Sequence, residues 1–262
     1  MGVVNTTPDS FSDGGSYLDR DAAIARARQL IDDGADILDI GGESSRPGAQ
    51  AVSEDEELRR VLPVIENLAG GSIPLSIDTR RARVMREALA AGASMVNDIQ
   101  ALRGEGALEA VARSGCAVCL MHMQGDPATM QRAPEYVDVV SEVKAFLAER
   151  IAAAEAAGIA RERIVVDPGF GFGKTAMHNL SMLRRLHEFS ALGLPLLAGL
   201  SRKSTLGTVT GRPTGERLAA SLAAALLAAQ GGATILRAHD VRETRDALAV
   251  WLAVRDVPQD TR

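Results

Sequence analysis

The sequence alternates short apolar runs with longer segments of helical periodicity, and this alternation occurs eight times along 262 residues. Each apolar run is four or five residues long, which is the usual length of a buried strand. No linker, low-complexity tract or change in composition interrupts the pattern. The predicted strands are residues 1–5, 36–40, 74–78, 94–98, 117–121, 164–167, 195–199 and 234–238.

The segments between these runs have the pattern of amphipathic helices. Residues 21–34 place apolar side chains three and four positions apart and end on a glycine, a common helix stop. Ser53, with Glu56 three residues later, predicts a capping box at the start of the second helix. The alanine-rich segments 138–158 and 214–231 predict two further helices.

Eight successive β–α units of this total length favour one closed barrel over an open doubly wound sheet. We therefore predict an α/β protein with a single (β/α)8 TIM barrel that forms one domain over residues 1–262. A hydrophobic content of 46% is enough for a sizeable core. Barrels of this kind carry their functional residues at the carboxyl ends of the strands and in the loops that follow.

Charge and hydropathy exclude several classes of partner. The net charge of −5 argues against a general affinity for nucleic acid or for an anionic membrane surface. Neither a basic leader with an apolar core nor an apolar run of about 18 residues is present. We expect a cytoplasmic protein that acts on small molecules, with no nucleic-acid and no membrane partner.

Polar side chains stand at nearly every predicted strand end, which a barrel built only for stability does not require. Taken singly, Asp78 or Asp98 could cap the next helix. Together these residues favour a functional site at one end of the barrel. The strand ends in question carry Asn5, Asp78, Asn97, Asp98, His122, Asp167, Ser201, Arg237 and His239.

Some of these residues suit an anion. Arg237 and His239 are two positions apart at the end of the eighth strand and should point to the same side. Arg46 lies in a loop bounded by glycine and proline and is a third candidate cation, although a solvated surface arginine is an equal alternative. An oligophosphate would need a counter-ion, and Mg²⁺ prefers oxygen ligands such as the Asn5 amide and the Asp9 carboxylate.

The acidic strand ends suit a neutral heterocycle. Asp78 and Asp167 each end an apolar strand, where a partly desolvated carboxylate can accept from two parallel N–H donors of a ligand. Asn97 could supply a donor and an acceptor beside them. Lys203 is open to three interpretations, a Schiff-base lysine, a surface charge or the ligand-binding cation that we favour.

Two local motifs invite other interpretations. Cys116 and Cys119 form a C-x-x-C within an apolar strand, where residues three apart face opposite sides, so a structural role is favoured. The run D-P-G-F-G-F-G-K-T cannot be a Walker A loop, because Pro168 stands where that loop needs glycine. Lys174, at the end of this run, is expected to be solvated.

Eight blocks of the sequence resemble, in order, the signature blocks of the bacterial dihydropteroate synthase family. Members of that family join 6-hydroxymethyl-7,8-dihydropterin diphosphate to 4-aminobenzoate in folate biosynthesis, release pyrophosphate and are sulfonamide targets. The blocks are N-T-T-P-D-S-F-S-D-G-G, G-G-E-S-S-R-P-G, S-I-D-T, V-N-D-I, L-M-H-M-Q-G, D-P-G-F-G-F-G-K, S-R-K-S and R-A-H-D-V.

The resemblance implies a role for each matching residue. It places Mg²⁺ on Asn5 and Asp9, and it makes Asn5, Asp78, Asp167 and Lys203 catalytic. It implies a dissociative mechanism, in which the diphosphate leaves before the arylamine adds. The pterin would contact Asp78, Asn97, Asp167 and Lys203. The diphosphate would contact Arg46, Arg237 and His239. The 4-aminobenzoate would contact Ser45, Pro47, Phe172, Ser201 and Lys203, and Phe11 would close over it.

The resemblance also implies a homodimer formed through the last helices. Family members carry a segment that caps the bottom of the barrel, and this chain is expected to lack most of it. Three other functions stay open from the residues: a pterin-dependent methyltransferase of the same barrel type, a Schiff-base aldolase using Lys203, and a non-catalytic pterin-binding protein. The methyltransferase would not need cations that converge on a diphosphate.

Overall fold

The computed structural model describes residues 1–6, 16–44, 48, 49 and 51–257, except for the side chains of residues 16–19. All eight predicted strands are present in these ranges, and their bounds differ from the predicted ones by at most two residues at either end. The confirmed strands are β1 (Gly2–Asn5), β2 (Leu38–Gly41), β3 (Leu75–Asp78), β4 (Met95–Asp98), β5 (Ala117–Met121), β6 (Ile164–Asp167), β7 (Leu197–Ala198) and β8 (Ile235–Leu236).

The strands are parallel and follow one another in chain order. β1 to β6 form one sheet and β7 pairs with β8 in a second. A bridge between Val166 and Leu196 joins β6 to the start of β7, and a bridge between Gly2 and Ala238 joins the end of β8 back to β1. Because these bridges connect the two sheets on both sides, the eight strands close into the predicted (β/α)8 barrel.

The helices surround the strands. Asp138 caps its helix by accepting from the backbone N–H of Val140 at 3.0 Å, as its sequence position suggests. The helices are α1 (Ser16–Asp32), α2 (Glu54–Leu68), α3 (Ala82–Ala90), α4 (Ala107–Ala112), α5 (Val139–Ala156), α6 (Ala176–Arg184), α7 (Ser204–Thr210), α8 (Leu218–Gln230) and α9 (Val241–Arg255).

Two helix predictions need correction. Ser53 Oγ accepts from the Glu56 backbone N–H at 3.2 Å, but the Glu56 carboxylate pairs with arginines of its own helix, so the reciprocal half of the capping box does not form. The helix predicted over 214–231 is divided into a 3₁₀ turn, Thr214–Glu216, and α8. Arg217 stands at the break, and its guanidinium donates to the carbonyl oxygen of Arg202 at 3.0 Å.

Alternate strand residues face two different cores. Val4, Ile40 and Ile77 belong to the large core between strands and helices. Cys116 belongs to this outer core, whereas Cys119 packs inside the barrel with three other apolar side chains. Both cysteines are buried free thiols on opposite faces of the sheet, which confirms their predicted structural placement.

The barrel interior becomes polar toward the carboxyl ends of the strands. Asp39, Ser76 and Asn97 are all buried on the interior faces of β2, β3 and β4. Charged and amide side chains are rarely buried unless they are paired or serve a ligand. This end of the barrel therefore contains the candidate site.

In the part of the chain that the structure describes, no helix is long and apolar enough to cross a bilayer.

Candidate active site

A cavity of about 440 Å³ opens at the carboxyl ends of the strands. Its volume lies in the range of small-molecule sites. The residues that line it come from strand ends far apart in the sequence, as the barrel topology predicts. Predicted site residues among its lining are Asn5, Asp78, Phe172, Ser201, Lys203, Arg237 and His239.

Arg237 forms an ion-paired cluster with two acids at this cavity. Its Nε donates to Asp39 Oδ2 at 2.6 Å and its Nη2 donates to Asp78 Oδ2 at 2.8 Å. The Arg237 side chain is 20% exposed, whereas Asp39 is completely buried. Burial opposes the charge on Arg237, but the two acids raise the pKa of its guanidinium above the usual value. Arg237 is therefore a fixed cation held by two carboxylates.

Asp78 is an acid with a strongly shifted protonation equilibrium. Burial raises the pKa of Asp78 to about 7, and nearby Asp39 adds to this shift while Arg237 opposes it. Two carboxylates that share one guanidinium cannot both be fully neutralised by it. Asp78 can therefore change its protonation state near neutral pH when a ligand displaces water or brings a charge.

Asp39 is a residue of this cluster that sequence reasoning missed. It lies inside β2 rather than at the strand end, and its Oδ1 has no hydrogen-bond partner among the described residues. A charged side chain within an otherwise apolar buried strand is the signal that could have identified it.

Asn97 joins the cluster from β4. Its Nδ2 donates to Asp39 Oδ2 at 3.0 Å, while its Oδ1 is buried and has no partner among the described residues. Buried polar atoms in native proteins are rarely left without a partner, and such atoms in a cleft are typical of a site that receives a ligand. Asn97 and Asp39 are not among the residues that line the cavity, but Asp39 is bonded to Arg237, which is, so each offers an open acceptor beside the cavity.

Asp98, next to Asn97, has the structural role that the sequence left open. Its two carboxylate oxygens accept from the backbone N–H groups of Gln100 and Leu102, each at 2.8 Å. Burial raises the pKa of Asp98 to about 6, and the two backbone hydrogen bonds oppose this shift. Asp98 therefore caps the turn after β4, whereas Asp78 is committed to Arg237.

Asp167 and Lys203 form a second charged group. Asp167 is buried, and its Oδ1 accepts from the Gly169 backbone N–H at 2.7 Å. Burial raises the pKa of Asp167, and Lys203 opposes that shift. Burial lowers the pKa of Lys203 to about 8, with Asp167 acting in the opposite direction. The two predicted pterin residues therefore interact electrostatically at the ends of β6 and β7.

Lys203 also contacts the loop after β6. Its Nζ donates to the carbonyl oxygen of Phe170 and lies 4.7 Å from the centroid of the Phe172 ring. A cation at this distance from an aromatic face is attracted to it. The structure thus places Lys203 and Phe172, both predicted to bind 4-aminobenzoate, side by side on the cavity wall.

Ser201 and His239 are a third pair on this wall. Ser201 Oγ accepts from the His239 backbone N–H at 3.2 Å and lies 3.0 Å from His239 Nδ1. The resemblance assigns Ser201 to the acceptor and His239 to the diphosphate. Their contact brings those two predicted subsites together at the ends of β7 and β8.

The prediction that Lys174 is solvated is wrong. Lys174 is 2% exposed, and its Nζ donates to the carbonyl oxygens of Gly169 and Phe172, each at 3.0 Å. It also lies 2.8 Å from Nδ1 of His122, a residue to which the sequence assigned no role. Burial lowers the pKa of Lys174 well below its usual value. A glycine-rich run usually indicates an exposed loop, but here the backbone carbonyl groups of the run point inward and surround the Lys174 amino group.

Asn5 is the described part of the predicted magnesium site. It ends β1, lines the cavity and is partly exposed, so its amide oxygen can reach a ligand. Among the residues that the structure describes, no three His, Cys, Asp or Glu side chains cluster to hold a metal ion. An amide oxygen at this position is a ligand of the kind that Mg²⁺ takes together with substrate oxygens and water. Five predicted site residues lie outside the described residues: Asp9, Phe11, Ser45, Arg46 and Pro47.

Comparison with known proteins identifies the family. The family described as "Pterin binding enzyme" matches residues 1–239. Dihydropteroate synthase of Escherichia coli (strain K12) is 51% identical over 263 residues, which cover 100% of this chain and 93% of that protein. The corresponding enzyme of Neisseria meningitidis serogroup B is 54% identical over 261 residues, covering 97% of this chain and 92% of its own length.

Solved structures give the same result. A Xanthomonas albilineans dihydropteroate synthase with 4-aminobenzoic acid matches with a TM-score of 0.94 at 57% identity, over 98% of this chain and 93% of that one. A Yersinia pestis dihydropteroate synthase in a sulfonamide drug complex matches with a TM-score of 0.94 at 48% identity, over 98% and 94% of the two chains. This chain therefore belongs to the dihydropteroate synthase family of pterin-binding enzymes.

Proposed function

We propose that the cleft joins 6-hydroxymethyl-7,8-dihydropterin diphosphate to 4-aminobenzoate and releases 7,8-dihydropteroate and pyrophosphate. The observation that carries this proposal is the buried cluster of Asp39, Asn97, Asp78 and Arg237, with open acceptors on Asp39 Oδ1 and Asn97 Oδ1. An apolar ligand would leave these polar atoms unsatisfied at a cost of about 1–3 kcal/mol each. A flat heterocycle with several N–H donors would satisfy them.

The acids recognise the pterin in this proposal. Asp167 and Asp78 accept from ring and amino N–H groups of the heterocycle, and Asn97 Oδ1 accepts a further hydrogen bond. Because these groups are buried, each hydrogen bond to a charged acceptor is stronger than it would be in water. Lys203 lies beside Asp167 and donates toward the heteroatoms of the ring.

The bond to the diphosphate breaks first. The electron pair of the carbon–oxygen bond leaves with the diphosphate, and the carbon attached to the pterin becomes cationic. Arg237 and, from the sequence, Arg46 supply positive charge for the leaving group, and His239 can donate a hydrogen bond to it. Asn5 and, from the sequence, Asp9 would hold Mg²⁺, which would supply positive charge for the leaving group.

The arylamine then adds to the cationic carbon. Its nitrogen forms the new carbon–nitrogen bond and loses one proton to solvent. The Phe172 ring and Ser201 lie on the wall where a flat aromatic ring with a carboxylate can bind. The roles of Phe11, Ser45 and Pro47 on this side stay predictions from the sequence, and sulfonamides compete here as mimics of 4-aminobenzoate.

Pyrophosphate release tests this proposal directly. We expect release that requires the pterin diphosphate, Mg²⁺ and 4-aminobenzoate together. Arg237→Ala and Asp78→Ala should each lower kcat/KM by several orders of magnitude, since each disrupts the buried cluster that binds the pterin and its leaving group. Arg245→Ala is the matched control and should retain activity. It removes an exposed ion pair with Asp36, which precedes β2 and so lies away from the carboxyl ends of the strands.

A wild-type chain that releases no pyrophosphate with saturating substrates and Mg²⁺ would contradict the proposal. That outcome, together with retained pterin binding, would identify the non-catalytic alternative. A methyltransferase is disfavoured, because the relatives at about 50% identity over almost the whole chain are dihydropteroate synthases. Borohydride trapping of a carbonyl substrate on Lys203 would support the aldolase alternative.

Assembly and location belong to the same proposal. Leu227 on α8 and Val250 and Val254 on α9 are exposed apolar side chains, which suits the homodimer implied by the family resemblance. We propose that the chain forms this dimer and works in the cytoplasm. Analytical ultracentrifugation should show a dimer for the wild type and a higher dimer dissociation constant for Val250→Asp.

A further inference from the structure

We propose that Lys174 is a positioning residue that fixes the loop 168–173 and, through it, the placement of Phe172 on the acceptor side of the cleft. The inference rests on the proposed function, because that function defines which substrate binds on this side. Lys174 itself does not line the cavity. Its effect must therefore pass through the residues that it holds.

The loop is fitted closely against the segment that follows β5. Gly169, Gly171 and Gly173 have positive φ angles of 71°, 81° and 62°. A Cβ atom on Gly169 would lie 1.9 Å from the His122 carbonyl oxygen, and one on Gly173 would lie 2.3 Å from that of Gln124. These glycines let the chain turn repeatedly in contact with its neighbour and direct carbonyl oxygens inward.

Those carbonyl oxygens receive the amino groups of two lysines. Lys174 donates to Gly169 O and Phe172 O, and Lys203 donates to Phe170 O. The third contact of Lys174 is His122 Nδ1 at 2.8 Å. Three acceptors match the three N–H groups of an ammonium, and in this arrangement the neutral imidazole of His122 carries its proton on Nε2.

His122 is held in turn by its own surroundings. Its ring packs edge-on against Phe146, with centroids 4.9 Å apart, and its backbone N–H donates to the Asp167 carbonyl oxygen at 3.0 Å. Lys174 thus links both ends of the loop to a buried side chain on the neighbouring strand end. A buried ammonium with all donors satisfied acts as an internal cross-link, and its loss would leave buried acceptors without partners.

The contacts predict which substrate senses this link. Asp167 is fixed by its place in β6, where it pairs with Met121 of β5, so the pterin acid should keep its place. The Phe172 carbonyl depends on Lys174, and the Phe172 ring lies 4.7 Å from Lys203 Nζ. Loss of Lys174 should therefore disturb the contacts of Phe172 with 4-aminobenzoate more than the contacts of Asp167 with the pterin.

The test compares Lys174→Met with Lys144→Met in the full chain. Lys144 lies on α5 outside the cavity lining and is the matched control. Lys174→Met should raise KM for 4-aminobenzoate about tenfold and change KM for the pterin diphosphate less than about threefold, because misplacement affects the contacts of one substrate. Lys144→Met should leave both constants unchanged.

A second measurement does not depend on turnover. Hydrogen exchange of the chain without substrates should be at least about tenfold faster at the amides of Gly171 and Phe172 in Lys174→Met than in wild type. If Lys174→Met does not fold, His122→Leu removes one acceptor and should cause the same two changes to a smaller extent.

Equal changes in the two KM values, or unchanged exchange in the loop of a folded variant, would overturn the positioning role. A wild-type chain without activity would contradict the proposed function instead, and the exchange measurement would then decide the positioning role by itself.

Discussion

Asp78 and Arg237 are 159 residues apart in the sequence and meet in the cleft, where Arg237 Nη2 donates to Asp78 Oδ2 at 2.8 Å. The same guanidinium neutralises Asp39 from β2. One buried cation therefore connects residues of β2 and β3 with the end of β8, which lie far apart in the sequence. The stability and the chemistry of the site depend on this group together.

Removing Arg237 should leave two buried acids without their cation. Arg237→Met should reduce the free energy of unfolding by about 3 kcal/mol, the cost expected when one partner of a buried ion pair is lost. Adding Asp78→Asn should restore part of this loss, because one unpaired buried charge is then removed. Urea unfolding of the two single variants and the double variant measures this coupling. Additive effects would show that Asp78 and Arg237 do not act as a pair.

Asp78 should give the folded chain a specific pH dependence. Its pKa is near 3.8 in an unfolded chain and about 7 in the folded one, so between these values the folded state retains a proton that the unfolded state has lost. This contribution to stability is complete below the lower pKa and disappears as the pH rises through the upper one.

Asp78→Asn lacks this carboxyl group. Between about pH 5 and pH 8 its free energy of unfolding should decrease less than that of wild type, and the two decreases should differ by more than about 1 kcal/mol. Urea unfolding across that range is the measurement. Asp246→Asn, on the exposed face of α9, should follow the wild-type curve. The expectation fails if Asp78→Asn follows it too.

Lys203 should set an alkaline limit on activity. Burial lowers its pKa to about 8, so the ammonium is lost as the pH rises through that value. We expect kcat/KM for 4-aminobenzoate to fall in the same range. Lys203→Arg keeps its charge at higher pH and should move the fall upward while lowering the maximum rate. If kcat/KM of Lys203→Arg falls at the same alkaline pH as in wild type, another group causes the fall. Lys144→Arg is the control and should show the wild-type pH dependence.

The buried cysteines should be chemically inert in the folded chain. Burial raises the pKa of the Cys119 thiol well above its usual value, which suppresses the reactive thiolate. Both thiols should react with an aromatic disulfide reagent at least about a hundredfold more slowly in native buffer than in concentrated urea. Fast labelling without denaturant would instead indicate a redox or metal-binding role for the C-x-x-C.

The barrel could be predicted because its signal is local. Short apolar runs bury both faces of each strand, so composition alone marks them within two residues of their observed bounds. The break before α8 could not be predicted in this way. It coincides with Arg217, whose guanidinium reaches the Arg202 carbonyl in another loop, and no pattern within residues 214–231 records that contact.

The site was predictable where topology brings strand ends together and was missed where burial depends on distant partners. Parallel strands meet at one face, so Asp78, Lys203 and Arg237 were identified as neighbours from their positions. Asp39 and Lys174 were missed because their pairing partners, Arg237 and His122, are 198 and 52 residues away. Asp39 interrupts an apolar strand, but nothing local distinguishes Lys174 from a solvated lysine.

The central claim is that this cleft couples the loss of diphosphate to the capture of 4-aminobenzoate. Quantifying both products of one reaction, 7,8-dihydropteroate by mass spectrometry and pyrophosphate by an enzymatic assay, tests this claim most directly. We predict equal amounts of the two products in the wild type and loss of both in Asp78→Ala. Absence of dihydropteroate from the wild-type reaction at saturating substrates and Mg²⁺ would contradict the account.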